Sequence, residues 1–106
     1  MELVFDLGVG DLFTVRSAGN AYSVSNAGSL EYAVISLDVP LIVVMGHSGC
    51  GAVDAAWLEG RYENRLGDML APIWNAVQTH NKANPDTPGP HHADSIKGAI
   101  RAHVYQ

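Results

Sequence analysis

The sequence predicts an α/β fold, a parallel-sheet core with covering helices, on three observations. Pro40-Leu-Ile-Val-Val-Met45 runs apolar without alternation, as a strand does when both faces of a parallel sheet are covered. Leu30, Val34 and Leu37 recur at the spacing that puts one apolar stripe on a helix. Asp11-Leu-Phe-Thr-Val-Arg16 mixes β-branched and aromatic residues between Gly10 and a Ser17-Ala-Gly19-Asn20 turn, which suits a short strand. Strand, helix and strand in that order make a βαβ crossover.

The remaining elements follow from the same patterns. Ser25 and Asn26 are cap candidates for the first long helix, which should end by Asp38, before Pro40. Beyond the second strand, Ala52, Val53, Ala56 and Trp57 share one face of a short helix. Leu66, Met69, Leu70, Ile73, Trp74 and Val77 form the stripe of a longer one, and both should cover the sheet. Asn84-Pro-Asp-Thr-Pro-Gly-Pro90 continues no helix and reads as a surface loop. Asp94 or Ser95 then caps a last helix carrying Ile96, Ile100 and Val104.

A chain of 106 residues that is 47% hydrophobic and 16% charged supports a single domain, residues 1–106, with its own core. Six Lys and Arg against eleven Asp and Glu give a net charge of −5, and the basic residues are scattered singly, so nucleic acid is excluded as a partner. The longest apolar run, Val39 to Met45, is far short of the ~20 residues of a membrane helix. No basic segment precedes an apolar signal core at the N-terminus, so the expectation is a soluble, cytoplasmic protein without a membrane partner. The single Cys50 forms no internal disulfide, which leaves a buried small residue, a reactive thiol or a metal ligand.

The segment that carries chemistry is Gly46-His47-Ser48-Gly49-Cys50-Gly51, which follows the apolar strand directly and opens a helix, the place where α/β sheets build sites. His47 and Cys50 offer an imidazole nitrogen and a sulfur from one tight turn, both typical zinc donors. The plain alternative is a turn with a buried Cys.

Four blocks of the sequence resemble the β-class carbonic anhydrases: Glu2-Leu-Val-Phe-Asp6, Gly10-Asp-Leu-Phe-Thr-Val-Arg-Ser-Ala-Gly-Asn20, Gly28-Ser-Leu-Glu-Tyr-Ala-Val34 and Gly46-His-Ser-Gly-Cys-Gly-Ala-Val53. They occur in the family's order, whereas the later helices match it only loosely. The resemblance implies a zinc enzyme, a lyase interconverting carbon dioxide and bicarbonate, its Zn2+ held by two Cys and one His with a water or Asp fourth. His47 and Cys50 match the second and third protein ligands. Zinc of this kind lowers the pKa of bound water from about 15.7 to near 7, so that hydroxide exists at neutral pH. The resemblance also implies a homodimer or a larger oligomer.

One departure from the family pattern stands out. Family members carry a Cys-x-Asp-x-Arg segment just before the block matched by Glu2 to Asp6, which supplies the first zinc ligand and an Asp–Arg pair beside the metal. With Cys50 as the single Cys, half the zinc ligands are present, and no catalytic residue is assignable because Asp6 and Arg16 belong to other blocks. The same segment lies in the family sheet between the strands that Asp11 to Arg16 and Leu41 to Met45 resemble. Unpaired buried backbone groups cost about 1 to 3 kcal/mol each, so those strands should pair directly, exchange between copies or associate. The sequence thus reads as a partial carbonic anhydrase domain, truncated at both ends.

Two other functions compete. One is a non-catalytic, degenerate family member acting as an assembly module. The other is a serine hydrolase using Ser48, since Gly46-His-Ser-Gly-Cys50 is one residue from the Gly-x-Ser-x-Gly elbow; against it, Cys50 holds the last Gly position and Asp94 and His103 sit nine apart on one expected helix. A phosphate loop lacks its Lys-Ser or Lys-Thr. His91 and His92 read first as solvated loop residues, His103 as a packed helix residue, and Trp57 and Trp74 as core. His80 carries no stronger signal. Asp11, Arg16 and Asn20 match family positions near the pocket or subunit contacts, or else make local hydrogen bonds at strand ends.

Overall fold

A computed structural model of the chain describes residues 1–58, 62–86, 88–89 and 92–104. Five α-helices form, α1 (Glu2–Phe5), α2 (Val24–Leu37), α3 (Gly51–Ala56), α4 (Asn64–Ala83) and α5 (Ala93–Val104), with one 3-10 turn at Ala18–Asn20. The residues fall into two compact units, Met1–Val43 and Val44–Gln106.

In the first unit, α2 starts two to three residues earlier than its sequence signals suggest. Ser23, not Ser25 or Asn26, is the N-cap, and its Oγ accepts from the backbone N–H of Asn26 at 3.1 Å. Asn26 instead works through its side chain, whose Nδ2 donates to Ser17 Oγ at 3.1 Å and to the Ala21 carbonyl at 3.0 Å, tying the 3-10 turn to α2. The helix ends as expected at Asp38, which adopts the left-handed conformation at φ 51°, while the Val39 N–H donates to the Ala33 carbonyl. Ala33 is buried, but the expected stripe of Leu30, Val34 and Leu37 stays exposed.

The expected parallel sheet is absent among the described residues. Asp11 to Arg16 and Pro40 to Met45 are both non-helical, yet neither enters a strand ladder. The physical reason is that a strand, unlike a helix, cannot satisfy its backbone from within and needs a neighbour beside it. Leu41, Ile42, Val43, Val44 and Met45 are accordingly between 39% and 71% exposed, where the sequence pattern implies cover on both faces. The α/β expectation is corrected to helices joined by unpaired segments for the residues described.

In the second unit the helices cover one another instead of a sheet. Val53 and Ala56 from α3, Leu70, Ile73, Ala76 and Val77 from α4, and Ile96 and Ala99 from α5 are buried, so the predicted stripes of α3, α4 and α5 do meet in a core. Leu66, at the start of the α4 stripe, remains exposed. The segment after α4 leaves the helix at Asn84, as its prolines require. The last helix begins at Ala93, so Asp94 and Ser95 lie inside its first turn rather than at its cap. Ser95 is fully buried and its Oγ donates to the Pro88 carbonyl, fastening the preceding loop to α5.

The α4–α5 contact turns on Gly98, because a Cβ there would stand 2.5 Å from Nε2 and 2.8 Å from Nδ1 of His80. The Asn84 amide donates to His80 Nδ1 at 3.3 Å, which limits how far the ring can swing away. Gly98→Ala gains helix propensity of about 1 kcal/mol but overpacks the interface by about 1 to 3 kcal/mol, so net destabilisation is expected in urea unfolding. In a His80→Ala background the same change should become stabilising, and a sign that fails to reverse would break this account of the contact.

Candidate metal centre

The expected metal turn is built between an irregular segment and a short helix. Ser48 and Gly49 form the turn, with Gly49 at φ 63°, a left-handed conformation that a side chain would strain. Cys50 follows in extended geometry as the N-cap residue of α3, and its carbonyl accepts the first helical bond from the Asp54 N–H at 3.1 Å. At the other end, Gly46 lies against α5, where a Cβ would stand 2.5 Å from Ile100 Cγ2 and 3.1 Å from Val104 Cγ2. Both glycines therefore have separate reasons, one of backbone conformation and one of space.

The two donors of the turn differ in environment. His47 is exposed, and its Nδ1 lies 3.0 Å from the carbonyl oxygen of Ser48. A carbonyl only accepts, so in this contact Nδ1 carries the proton, and in the neutral imidazole Nε2 is the remaining acceptor. A backbone carbonyl on one ring nitrogen is the arrangement that fixes the tautomer of a metal-binding imidazole. Cys50, by contrast, is buried at 7% exposure and is a free thiol. The sequence shows both donors but gives no sign of the Ser48 carbonyl, because its direction depends on the turn geometry.

Imidazole nitrogen and thiol sulfur fit zinc in kind, but a closed or catalytic site needs three or four protein donors. Among the described residues, no group of three or more His, Cys, Asp or Glu is placed to hold a metal ion. His80 is on α4 against Gly98, His92 is exposed just before α5, and His103 lies on α5. His91 lies outside the described residues. Among the described residues, then, the turn offers two donors.

The hydrolase alternative loses support from the same geometry. The Nδ1 proton of His47 is directed to the Ser48 carbonyl rather than any ring nitrogen accepting from its hydroxyl. Asp94 and His103 both lie on α5, nine residues and so about 13.5 Å apart along its axis, too far to form the base–orienter pair of a triad. In the first unit, Asp11 makes a local bond, its Oδ2 accepting from the Gly8 N–H at 2.9 Å, and Asn20 takes a positive φ of 45° at the end of the 3-10 turn. Arg16 is exposed. No described helix is long and apolar enough to cross a membrane.

Comparison with known proteins completes the identification. The family model described as carbonic anhydrase matches residues 1–106. The chain is 47% identical over 78 residues to carbonic anhydrase 2 of Mycobacterium tuberculosis (strain ATCC 25618 / H37Rv), covering 67% of this chain and 38% of that protein. It is 57% identical over 54 residues to a carbonic anhydrase of Mycolicibacterium smegmatis, covering 51% of this chain and 26% of that one. Against beta carbonic anhydrase 5, chloroplastic, of Arabidopsis thaliana it is 36% identical over 84 residues, covering 74% and 27%. The matched stretches thus span well under half the length of these relatives. With a family match along all its residues, the chain belongs to the β-class carbonic anhydrases.

Proposed function

We propose that this chain is the central part of a zinc-dependent carbonic anhydrase domain that interconverts carbon dioxide and bicarbonate, with His47 Nε2 and Cys50 Sγ as two of its zinc ligands. The observation that carries this reading is the His47 imidazole, whose Nδ1 proton is held by the Ser48 carbonyl at 3.0 Å on the same turn as Cys50. Zinc, when bound, supplies hydroxide at neutral pH. The chain's own contribution is to hold and orient: the Ser48 carbonyl sets which nitrogen of His47 is available, and α3 entry sets the backbone of Cys50. A further thiolate and an Asp–Arg pair, of the Cys-x-Asp-x-Arg kind, come from outside this stretch.

The same reading accounts for the unpaired segments. In the whole domain, Asp11 to Arg16 and Pro40 to Met45 take partners in a parallel sheet, and the exposed apolar residues of α1 and α2 are covered within a cytoplasmic homodimer or larger oligomer. A second reading, a non-catalytic assembly module, is favoured by the shortfall of donors alone.

Three outcomes are expected. In the metal-free chain, nitrogen NMR of His47 should show Nδ1 protonated and Nε2 bare; the opposite tautomer would remove Nε2 as the ligand. After dialysis the chain should hold less than one equivalent of zinc, and His47→Ala or Cys50→Ser should abolish what remains. A full equivalent that survives a chelator would mean that a third donor has been overlooked. In a stopped-flow pH-indicator assay the chain alone should hydrate carbon dioxide slowly or undetectably, whereas adding an N-terminal strand with Cys-x-Asp-x-Arg should restore zinc and rate together. An extended protein that binds zinc and stays silent would establish the assembly module instead.

A further inference from the structure

The close approach of Gly46 to α5 bears on more than local packing. Ile100 and Val104 are four residues apart and so form one ridge of the helix, and both present a methyl to the place where a Gly46 Cβ would be. Gly98, which receives the His80 ring, lies about 200° around the helix from Ile100, so α5 is held by α4 on one side and carries the Gly46 backbone on another. The other end of the turn is fixed independently, since Cys50 leads into α3, whose Val53 and Ala56 are buried.

We propose that Ile100 and Val104 are positioning residues for the His47–Cys50 turn, their methyl ridge setting the backbone at Gly46 and hence where His47 stands relative to Cys50. The functional weight of this inference rests on the metal reading above, but the mechanical part does not. Metal–ligand distances tolerate only about 0.2 Å, and functional constellations must be held to about 0.5 Å, so a displacement of Gly46 by one methyl radius reaches the donors. The burial of Cys50 supplies a metal-free report of the same displacement.

The test is a double-mutant cycle of Gly46→Ala and Ile100→Ala in the full chain. Gly46→Ala introduces the methyl that meets Ile100 Cγ2, and Ile100→Ala removes that Cγ2, so the pair should complement. The first readout is the rate at which Ellman's reagent labels Cys50 under native conditions; the second is cobalt(II) affinity, followed by its sulfur charge-transfer band. Gly46→Ala should speed labelling and weaken cobalt binding by at least about threefold, and the double variant should return close to the parent. Val104→Ala, which undercuts the same seat, should speed labelling, while Gly98→Ala should change labelling only as far as its global stability does.

Additive single effects, or equal labelling by Gly98→Ala after matching stability, would overturn the proposal. If Gly46→Ala does not fold, folding of the double variant is itself complementation, and failure of both overturns it. Should none of the proteins bind cobalt while labelling follows the cycle, the seat stands and the zinc reading falls. Should all four bind cobalt equally well, the turn is a metal site that α5 does not position.

Discussion

A helix satisfies its backbone within itself, and a strand does so only through a neighbour; the structure of this chain follows from that difference. Every stretch whose sequence carries a helical stripe is a helix, because each closes its own hydrogen bonds and needs only modest cover for one face. The two stretches that read as strands have no ladder among the described residues and stay irregular, with Leu41 to Met45 between 39% and 71% exposed. In the first unit Ala21 and Ala33 are the buried apolar residues. The second unit escapes because α3, α4 and α5 can bury their stripes against each other.

The sequence was therefore a good guide to local periodicity and a poor one to partnership. It placed α2, α3, α4 and α5 within a few residues, yet missed the cap of α2 because Ser23, Ser25 and Asn26 are all competent and only the direction of the chain before the helix selects Ser23. At α5 the error has another cause. Ser95 has the chemistry of a cap, but burial inside the first turn gives its hydroxyl the Pro88 carbonyl instead. The sheet is a different matter: an apolar run records what a segment is suited to be covered by, and pattern alone does not show where that cover lies.

For the candidate centre, the candidate donors were legible and their geometry was not. His47 and Cys50 could be picked out because few residue types bind zinc, and the shortage of thiols was plain from a single Cys. The tautomer of His47 rests on where one backbone carbonyl points, and the need for Gly46 rests on two methyl groups more than fifty residues further along the chain. Neither leaves a mark in local spacing. Gly49 is the intermediate case, since a glycine inside a tight turn does suggest the positive φ that it adopts.

These two geometric facts bear on how metal binding and folding are coupled in this stretch. Where a metal organises an unfolded chain, its binding energy is folding energy, and the apo protein has no site. Here α5 at Gly46 and α3 at Cys50 hold the two ends of the turn, and the Ser48 carbonyl orients the His47 imidazole. On the proposed metal reading, donors held by packing in this way lose little freedom on binding, so metal would stabilise the fold by mass action, as any ligand of the native state does. The limit on affinity is then the number of donors rather than the cost of arranging them. On the same reading, a third donor from another strand would add its bond to donors that packing already holds, so that completing the centre becomes a matter of docking that strand beside the turn.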